Sequence, residues 1–241
     1  MRKLLTPANA NAKTRKEAEG IEACILHLAP ASLSGWNVCP WATAGCRDSC
    51  LNTSGRSQVT GDVTGDNLQR YAIHRARIER TRLFMQDRAA FLAKLGNELA
   101  ALDRRARRLD VLGVVRLNGT SDIPWEHFVA MQDRFPGLQF YDYTKSHERM
   151  ARRLRGGLPS NYHLTFSRAE SKPDSVWERV CDRGGNVAIV FDVLPERWHG
   201  FDVIDGTAND WRFRDRPGCV VGLLPKGRAK RDESGFVVRI G

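Results

Sequence analysis

The sequence predicts an α/β fold with a mostly parallel sheet or a partial (β/α) barrel, followed by an irregular C-terminal third. Two observations predict it. Between residues 111 and 191, short apolar runs typical of buried strands alternate with helical segments. Beyond residue 191, apolar runs follow one another with little room for helices. We assign residues 21–241 to a single α/β domain and expect the mostly polar residues 1–20 to be flexible.

The first predicted strand is Cys24–Ala29, and it ends before Pro30. Three cysteines follow it in a C-x6-C-x3-C spacing: Cys39, Cys46 and Cys50. Because Cys46 and Cys50 are four residues apart, one helical turn would point both sulfur atoms the same way, and the loop can fold back to bring Cys39 to them. Three converging thiolates predict a bound metal or cluster.

The number of cysteines favours an iron–sulfur cluster over zinc. A closed zinc site needs four protein ligands, whereas a [4Fe-4S] cluster held by three cysteines leaves one iron open to a small molecule. The candidates for a fourth ligand elsewhere in the chain are His27, Cys24, Cys181 and Cys219. Two alternatives remain for the three cysteines: zinc, or a disulfide with one free thiol.

The next elements are predicted from apolar spacing. Residues 68–108 carry apolar side chains at intervals of three and four, which predicts two helices broken near residues 85–87. The strands that follow are VLGVVRLNG, LQFYDYT, YHLTFS, NVAIVFDV, FDVID and CVVGLL. Helices are predicted between the first four of them, at about residues 125–134, 147–155 and 174–183.

Polar residues follow the predicted strands, and in parallel sheets these strand ends share one edge where ligands bind. We predict Asp142 and Lys145 as catalytic residues. The predicted contacts to a substrate or cofactor are Asn118, Ser121, Asp122, Tyr143, Ser167 and Arg168. An ordinary helix N-cap is the alternative for Ser121 and Asp122, and a buried ion pair is the alternative for Asp142 with Lys145.

The formal net charge of +10 comes from 38 Lys and Arg against 28 Asp and Glu. The arginines are clustered on predicted helices: Arg70, Arg75, Arg77, Arg80, Arg82 and Arg88; then Arg104, Arg105, Arg107 and Arg108; then Arg149, Arg152, Arg153 and Arg155. Such clusters predict nucleic acid as a partner, with solvated helix faces as the alternative. Without an apolar run long enough for a membrane span, we expect a soluble cytoplasmic protein.

Four motifs in order resemble the phage and plasmid family called gene product 88. They are the cysteine segment LAPASLSGWNVCPWATAGCRDSCLNTSGR, then VRLNGTSDIPWE, FYDYTK and VIDGTANDWRFRD…VVGLLPKGRAK. The resemblance runs from about Glu22 to Lys230 and implies a phage or mobile-element origin, and so the cytoplasm of a host cell.

More distantly, the cysteine segment is similar to that of radical SAM enzymes. In those enzymes three cysteines after the first strand of a partial barrel bind a [4Fe-4S] cluster whose open iron takes S-adenosylmethionine. Cys39, Cys46 and Cys50 occupy the equivalent place, although the usual spacing there is C-x3-C-x2-C. The leading hypothesis is therefore an iron–sulfur protein, a radical SAM-like enzyme acting on nucleic acid or a nucleotide. The alternative is a non-catalytic nucleic-acid-binding protein with a structural zinc or cluster site.

Overall fold

The structure is a computed structural model and describes residues 3–7, 20–59 and 64–240. Within these ranges the strands form one sheet in the order β1-β2-β3-β4-β5-β6-β9-β8-β7, with β10 paired to β6. The strands are β1 Leu5–Pro7, β2 Ile21–Leu26, β3 Leu112–Arg116, β4 Leu138–Thr144, β5 Tyr162–Ser167, β6 Val187–Phe191, β7 Arg197–Trp198, β8 Phe201–Asp205, β9 Val220–Leu223 and β10 Val237–Val238.

Every pairing from β2 to β8 along this order is parallel, and the antiparallel strands β1 and β7 lie at the two edges. The predicted α/β fold with a mostly parallel sheet is thus confirmed. The pairing of β5 with β6 is short, because β5 ends at Ser167 opposite Ala188, near the start of β6. Farther along, β10 takes that side of β6, with Val237 opposite Val190.

The helices are α1 Ala44–Asp48, α2 Gly65–Leu68, α3 Ala72–Gln86, α4 Arg88–Arg108, α5 Met131–Arg134, α6 His147–Leu154 and α7 Ser175–Asp182. The predicted break between two long helices is confirmed at Asp87, whose side chain accepts a hydrogen bond from the Ala90 backbone N–H at 3.0 Å and so begins α4. No helix in the described ranges is long and apolar enough to cross a membrane.

The helices cover one face of the sheet. Phe91 of α4, Met150 of α6 and Trp177 of α7 join one core with alternate strand residues such as Phe140. On the other face a smaller cluster packs Trp211 and its neighbours against Tyr141 and Val114. A mostly parallel sheet and a partial (β/α) barrel were both predicted, and a parallel sheet with its main helices on one face is compatible with either.

Several boundaries differ from the prediction, among them the first parallel strand, which is Ile21–Leu26 instead of Cys24–Ala29. Leu5–Pro7 form β1 within the segment expected to be flexible, because Leu4 and Leu5 are buried and their backbone N–H groups donate to the Glu98 carboxylate at 2.8–3.0 Å. The rest of that expectation falls on residues 1–2 and 8–19, which lie outside the described residues. The helix predicted at residues 125–134 is instead a 3-10 turn followed by the four-residue α5.

Candidate functional site

The three cysteines lie in residues 39–50, here called the cysteine loop, which follows β2 at the carboxyl edge of the sheet. The Cys39 sulfur accepts a hydrogen bond from the Ala31 N–H at 3.3 Å and lies 3.8 Å from the Thr120 carbonyl oxygen, in the loop after β3. Cys46 lies in α1, whose N-cap Thr43 accepts its backbone N–H at 3.2 Å. Cys50 follows α1 two residues after its end. The loop therefore rests against the ends of neighbouring strands.

All three thiols are partly buried, and all six cysteines of the chain are unpaired, so the disulfide alternative is not what the structure shows. Burial is the main reason why the pKa is raised to about 12 for Cys39 and to about 11 for Cys46. The nearby charge of Cys50 raises the pKa of both further. Cys46 and Cys50 are thus near enough to Cys39 to affect its titration, but in the described part of the chain the three side chains do not form a group that could hold a metal ion.

Each of the three sulfur atoms also has a hydrogen-bond donor or a cation beside it. The Ala31 N–H donates a hydrogen bond to the Cys39 sulfur. Lys145 lowers the pKa of Cys46 against the larger effect of burial. The backbone N–H of Asn52 and the guanidinium of Arg77 likewise lower the pKa of Cys50 against the larger effect of burial. Groups of this kind stabilise thiolates and tune the metal centres that thiolates bind.

Two of the other candidate ligands, Cys181 and Cys219, lie together away from the cysteine loop. Cys181, at the end of α7, donates to the carbonyl oxygen of Cys219 at 3.8 Å, and Cys219 directly precedes β9. Both lie near amino ends of strands, at the edge opposite the cysteine loop. In residues 3–7, 20–59 and 64–240 as they are placed, no group of three or more His, Cys, Asp or Glu side chains could hold a metal ion.

Residues 232–240, here called the C-terminal strap, contact the cysteine loop. A Cβ atom added to Gly45 would collide with the side chains of Ser234 and Phe236, so only glycine allows this close approach. The Glu170 carboxylate, beyond β5, accepts hydrogen bonds from Gly45 N at 2.9 Å and Thr43 Oγ1 at 2.7 Å. The start of α1 is therefore held between the β5 end and the strap.

Lys145 reaches into the same place from the end of β4. Its ammonium donates to Ser167 Oγ at 3.2 Å and to the Arg168 carbonyl oxygen, and it lies 5.4 Å from the centre of the Phe236 ring. Burial lowers the pKa of Lys145, and Cys46 is the charge that opposes this most strongly. The structure thus brings three predicted rim residues together beside Cys46.

Asp142 lies on the helix-covered face of β4 and is fully buried. Its Oδ1 accepts from the Asn118 backbone N–H at 2.6 Å, and its Oδ2 accepts from the Tyr162 hydroxyl at 2.8 Å. Asn118 Oδ1 in turn accepts from Ser121 Oγ at 2.8 Å. Asp142 and Lys145 therefore have different hydrogen-bond partners, and the ion pair considered as their alternative is not formed.

The same buried cluster continues to Arg149 of α6. Its guanidinium donates to Asp122 at 2.9 Å and, through two nitrogens, to Glu126 at 2.9 and 2.8 Å. It also donates to the Tyr162 hydroxyl at 2.9 Å, and Asp122 accepts the Lys145 backbone N–H at 2.8 Å. We call this cluster the Arg149 network; its members are Asn118, Ser121, Asp122, Glu126, Asp142, Arg149 and Tyr162. It ties the loop after β3 to Asp142 within β4 and to Tyr162 at the start of β5.

Tyr143 lies on the opposite face of β4 from Asp142. Its hydroxyl donates to Asp210 at 3.3 Å, and the Arg116 guanidinium lies 4.7 Å from the centre of its ring. Asp210 also accepts from Arg116 at 2.7 Å. The predicted contact residues therefore do not form one group, because Tyr143 lies on the other face of the sheet from the Asp142 side chain and bonds Asp210 there.

A family model described as gene product 88 matches residues 3–240. The chain belongs to the gene product 88 family. The match includes the cysteine loop, the Arg149 network and the strap, so these features lie within the family domain. A comparison with curated proteins and with solved structures found no match.

In this gene product 88 protein two arginines of the predicted nucleic-acid clusters are buried. Arg77 is 8 % exposed and donates to the Asn52 carbonyl oxygen at 3.1 Å and to Ser57 Oγ at 3.0 Å. Arg149 is 4 % exposed. The prediction that Arg77 and Arg149 contact nucleic acid is therefore wrong. Each guanidinium forms hydrogen bonds with buried groups of the protein and has a structural role. Glu170 and the strap residue Phe236 were not predicted as site residues; the only sequence signal was the position of Glu170 after a strand.

The buried carboxyl of Asp142 predicts a pH effect on stability. Burial raises its pKa from 3.8 to about 7, against the hydrogen bond from Asn118. A raised pKa favours the protonated form in the folded state, so this stability is complete below about pH 4 and is lost as the pH rises through about 7. Relative to Asp142→Asn, the wild type should lose up to about 4 kcal/mol of unfolding free energy over that range. Denaturant unfolding of both proteins between about pH 4 and pH 8 measures this, and parallel profiles would contradict it.

Proposed function

We propose that this gene product 88 protein binds an iron–sulfur cluster of the [4Fe-4S] type through Cys39, Cys46 and Cys50. The observation that carries the proposal is the environment of the three sulfur atoms. They are unpaired, lie at the carboxyl edge of a parallel sheet, and each has its own N–H donor or cation. Three thiolates satisfy three irons of such a cluster, whereas a closed zinc site would need a fourth protein ligand.

The proposed activity is that of a radical SAM-like enzyme. When bound, the cluster would supply an open iron for S-adenosylmethionine and the electron for radical chemistry. The ammonium of Lys145, beside Cys46, would hold an anionic group of that ligand. The Arg168 guanidinium donates to Asp174 Oδ1 at 3.1 Å and to the Gly235 carbonyl oxygen at 2.9 Å, and from there it would hold another anionic group. Ser167 positions Lys145 through its hydroxyl. The strap, packed on Gly45, would exclude water from this side of the site.

Asp142 and the Arg149 network would support this chemistry from within the protein. With its pKa raised to about 7, the Asp142 carboxyl can take up a proton near neutral pH. Through the backbone N–H of Asn118 it also fixes the loop that contacts Cys39 at Thr120. In this proposal Asp142 and Asn118 act through the loop, Asp122 fixes the backbone of Lys145, and Ser121 completes the loop hydrogen bonds.

The proposed substrate is nucleic acid or a nucleotide, and the proposed location is the cytoplasm of a phage-carrying host cell. The formal net charge of +10 supports an anionic partner. Several arginines on the helices, among them Arg104 and Arg108, are exposed and form no ion pair in the described part of the chain. Those same arginines favour a second candidate, a non-catalytic nucleic-acid-binding protein whose zinc or cluster only stabilises the cysteine loop.

Purification without oxygen separates the two candidates. The proposed enzyme should be brown, with the broad visible absorption of an iron–sulfur protein, and that absorption should change when S-adenosylmethionine is added. The second candidate predicts no spectral response to S-adenosylmethionine, together with salt-sensitive binding of DNA. A colourless protein with one zinc per chain would reject the cluster.

A further inference from the structure

A cleft opens between α6 and α7 on the helix-covered face, and nothing in the proposed cluster site uses it. Its volume is about 150 Å³. The apolar part is formed by Ala151 and Leu154 of α6 with Val180 of α7, and the cationic part by Arg179, Arg183 and His147. It is much larger than the share of one water molecule, about 30 Å³, and an apolar cavity of about 150 Å³ in another protein holds benzene.

The arginines at this cleft are free to bind a ligand. In the described ranges, neither Arg179 nor Arg183 forms an ion pair or a hydrogen bond through its side chain. Two acids of α7 are adjacent to these arginines in sequence: Glu178 is directed to His199, with a distance of 2.6 Å between Oε1 and Nδ1, and Asp182 forms no ion pair with either arginine. The two guanidinium groups are one helical turn apart and so can reach successive anionic groups.

We propose that this α6–α7 cleft binds one nucleotide of a single-stranded nucleic acid. The base lies on the apolar floor between the two helices, where a guanidinium can also stack on its face, and the adjoining phosphates pair with Arg179 and Arg183. This proposal rests on the nucleic-acid partner of the proposed function and names the surface that binds it. The cleft extends from His147 at the start of α6 to Arg183 just beyond the end of α7, so it reaches toward the edge of the sheet opposite the cysteine loop.

The test measures binding of a fluorescein-labelled oligothymidylate strand by fluorescence anisotropy over a range of KCl concentrations. The double variant Arg179→Ala with Arg183→Ala should bind at least about tenfold more weakly, and its salt slope should fall by about 1.4, because each phosphate contact contributes about 0.7. The matched control is Arg228→Ala with Arg231→Ala, which makes the same change in charge at exposed positions of the 3-10 turn Gly227–Arg231, outside the predicted arginine clusters, and should change affinity less than about twofold.

A third variant, Ala151→Phe, fills the cleft without changing charge. It should weaken binding while leaving the salt slope unchanged, since it removes the base contact and keeps the phosphate contacts. Equal losses in the Arg228→Ala with Arg231→Ala control and in the cleft double variant, or wild-type affinity in Ala151→Phe, would overturn the proposal. So would a wild-type protein that ignores the strand and binds a polyglutamate peptide instead.

Iron content, measured on the same preparations, separates this proposal from the cluster. The cleft variants should retain the iron of the wild type. A chain that binds the strand through the cleft but holds no iron would reject the cluster alone. A chain that holds iron but binds the strand equally well with and without Arg179 and Arg183 would reject the cleft alone.

Discussion

Replacing Cys46 by alanine is expected to abolish iron binding, whereas replacing Cys181 by alanine should leave it intact. Cys46 supplies one of only three thiolates in the proposed site, and two thiolates do not hold a [4Fe-4S] cluster. Cys181 lies at the opposite edge of the sheet and bonds the carbonyl oxygen of Cys219. Iron per chain and visible absorption, measured on proteins purified without oxygen, check this prediction.

The Cys181→Ala variant also controls for a general loss of folding. Its thiol is buried, so truncation should cost about 1 kcal/mol of stability without affecting the cysteine loop. Cys39→Ala and Cys50→Ala should behave as Cys46→Ala does. Equal loss of iron from Cys46→Ala and Cys181→Ala would show that the ligand set is wrong.

Replacing Arg149 by methionine is expected to destabilise the fold by about 3–5 kcal/mol, because it leaves buried carboxylates without their cation. Asp122 and Glu126 both accept hydrogen bonds from this guanidinium, and their side chains are 12 % and 2 % exposed. Typical domains have only about 5–15 kcal/mol of stability, so the loss would be a large fraction of the total. Urea unfolding followed by circular dichroism measures it.

Arg152→Met is the matched control on the same helix. The Arg152 guanidinium donates to the Gly157 carbonyl oxygen and lies beside His127, both in an exposed setting. Its replacement should cost no more than about 1 kcal/mol. If Arg149→Met and Arg152→Met lower the free energy of unfolding by the same amount, the Arg149 network does not stabilise the attachment of the loop after β3 to β4 and β5.

The parts of the fold that local patterns specify could be predicted from the sequence. β4 and β5 were predicted at their observed bounds, since each is a compact apolar run with clear turn residues around it. The break before α4 follows from apolar spacing and from the capping residue Asp87. By contrast, β1 and β10 have only three and two residues, and each exists because a distant strand pairs with it.

The position of the candidate site was predictable, but much of its construction was not. A cysteine loop after the first parallel strand must lie near the carboxyl ends of the next strands, which the contact between Cys39 and Thr120 illustrates. Burial of a charged side chain depends on tertiary partners that no local pattern reveals. Arg77 and Arg149 therefore looked like surface arginines, although one lies beside Cys50 and the other holds two acids.

Local patterns also did not show that Asp142 and Tyr143, both predicted as site residues, lie on different faces of the sheet. Asp142 and Tyr143 are adjacent in sequence, but successive side chains of a strand point to opposite faces. Asp142 therefore bonds Asn118 beneath the helices, while Tyr143 meets Asp210 on the other face. Lys145, one residue past the end of β4, is the predicted residue that reaches the cysteine loop.

The most direct test of the account is the iron and acid-labile sulfide content of the wild-type chain after reconstitution without oxygen. A cluster held by Cys39, Cys46 and Cys50 predicts about four iron and four sulfide atoms per chain. A chain that retains no iron, or one in which two of these cysteines form a disulfide under the same conditions, would contradict the account.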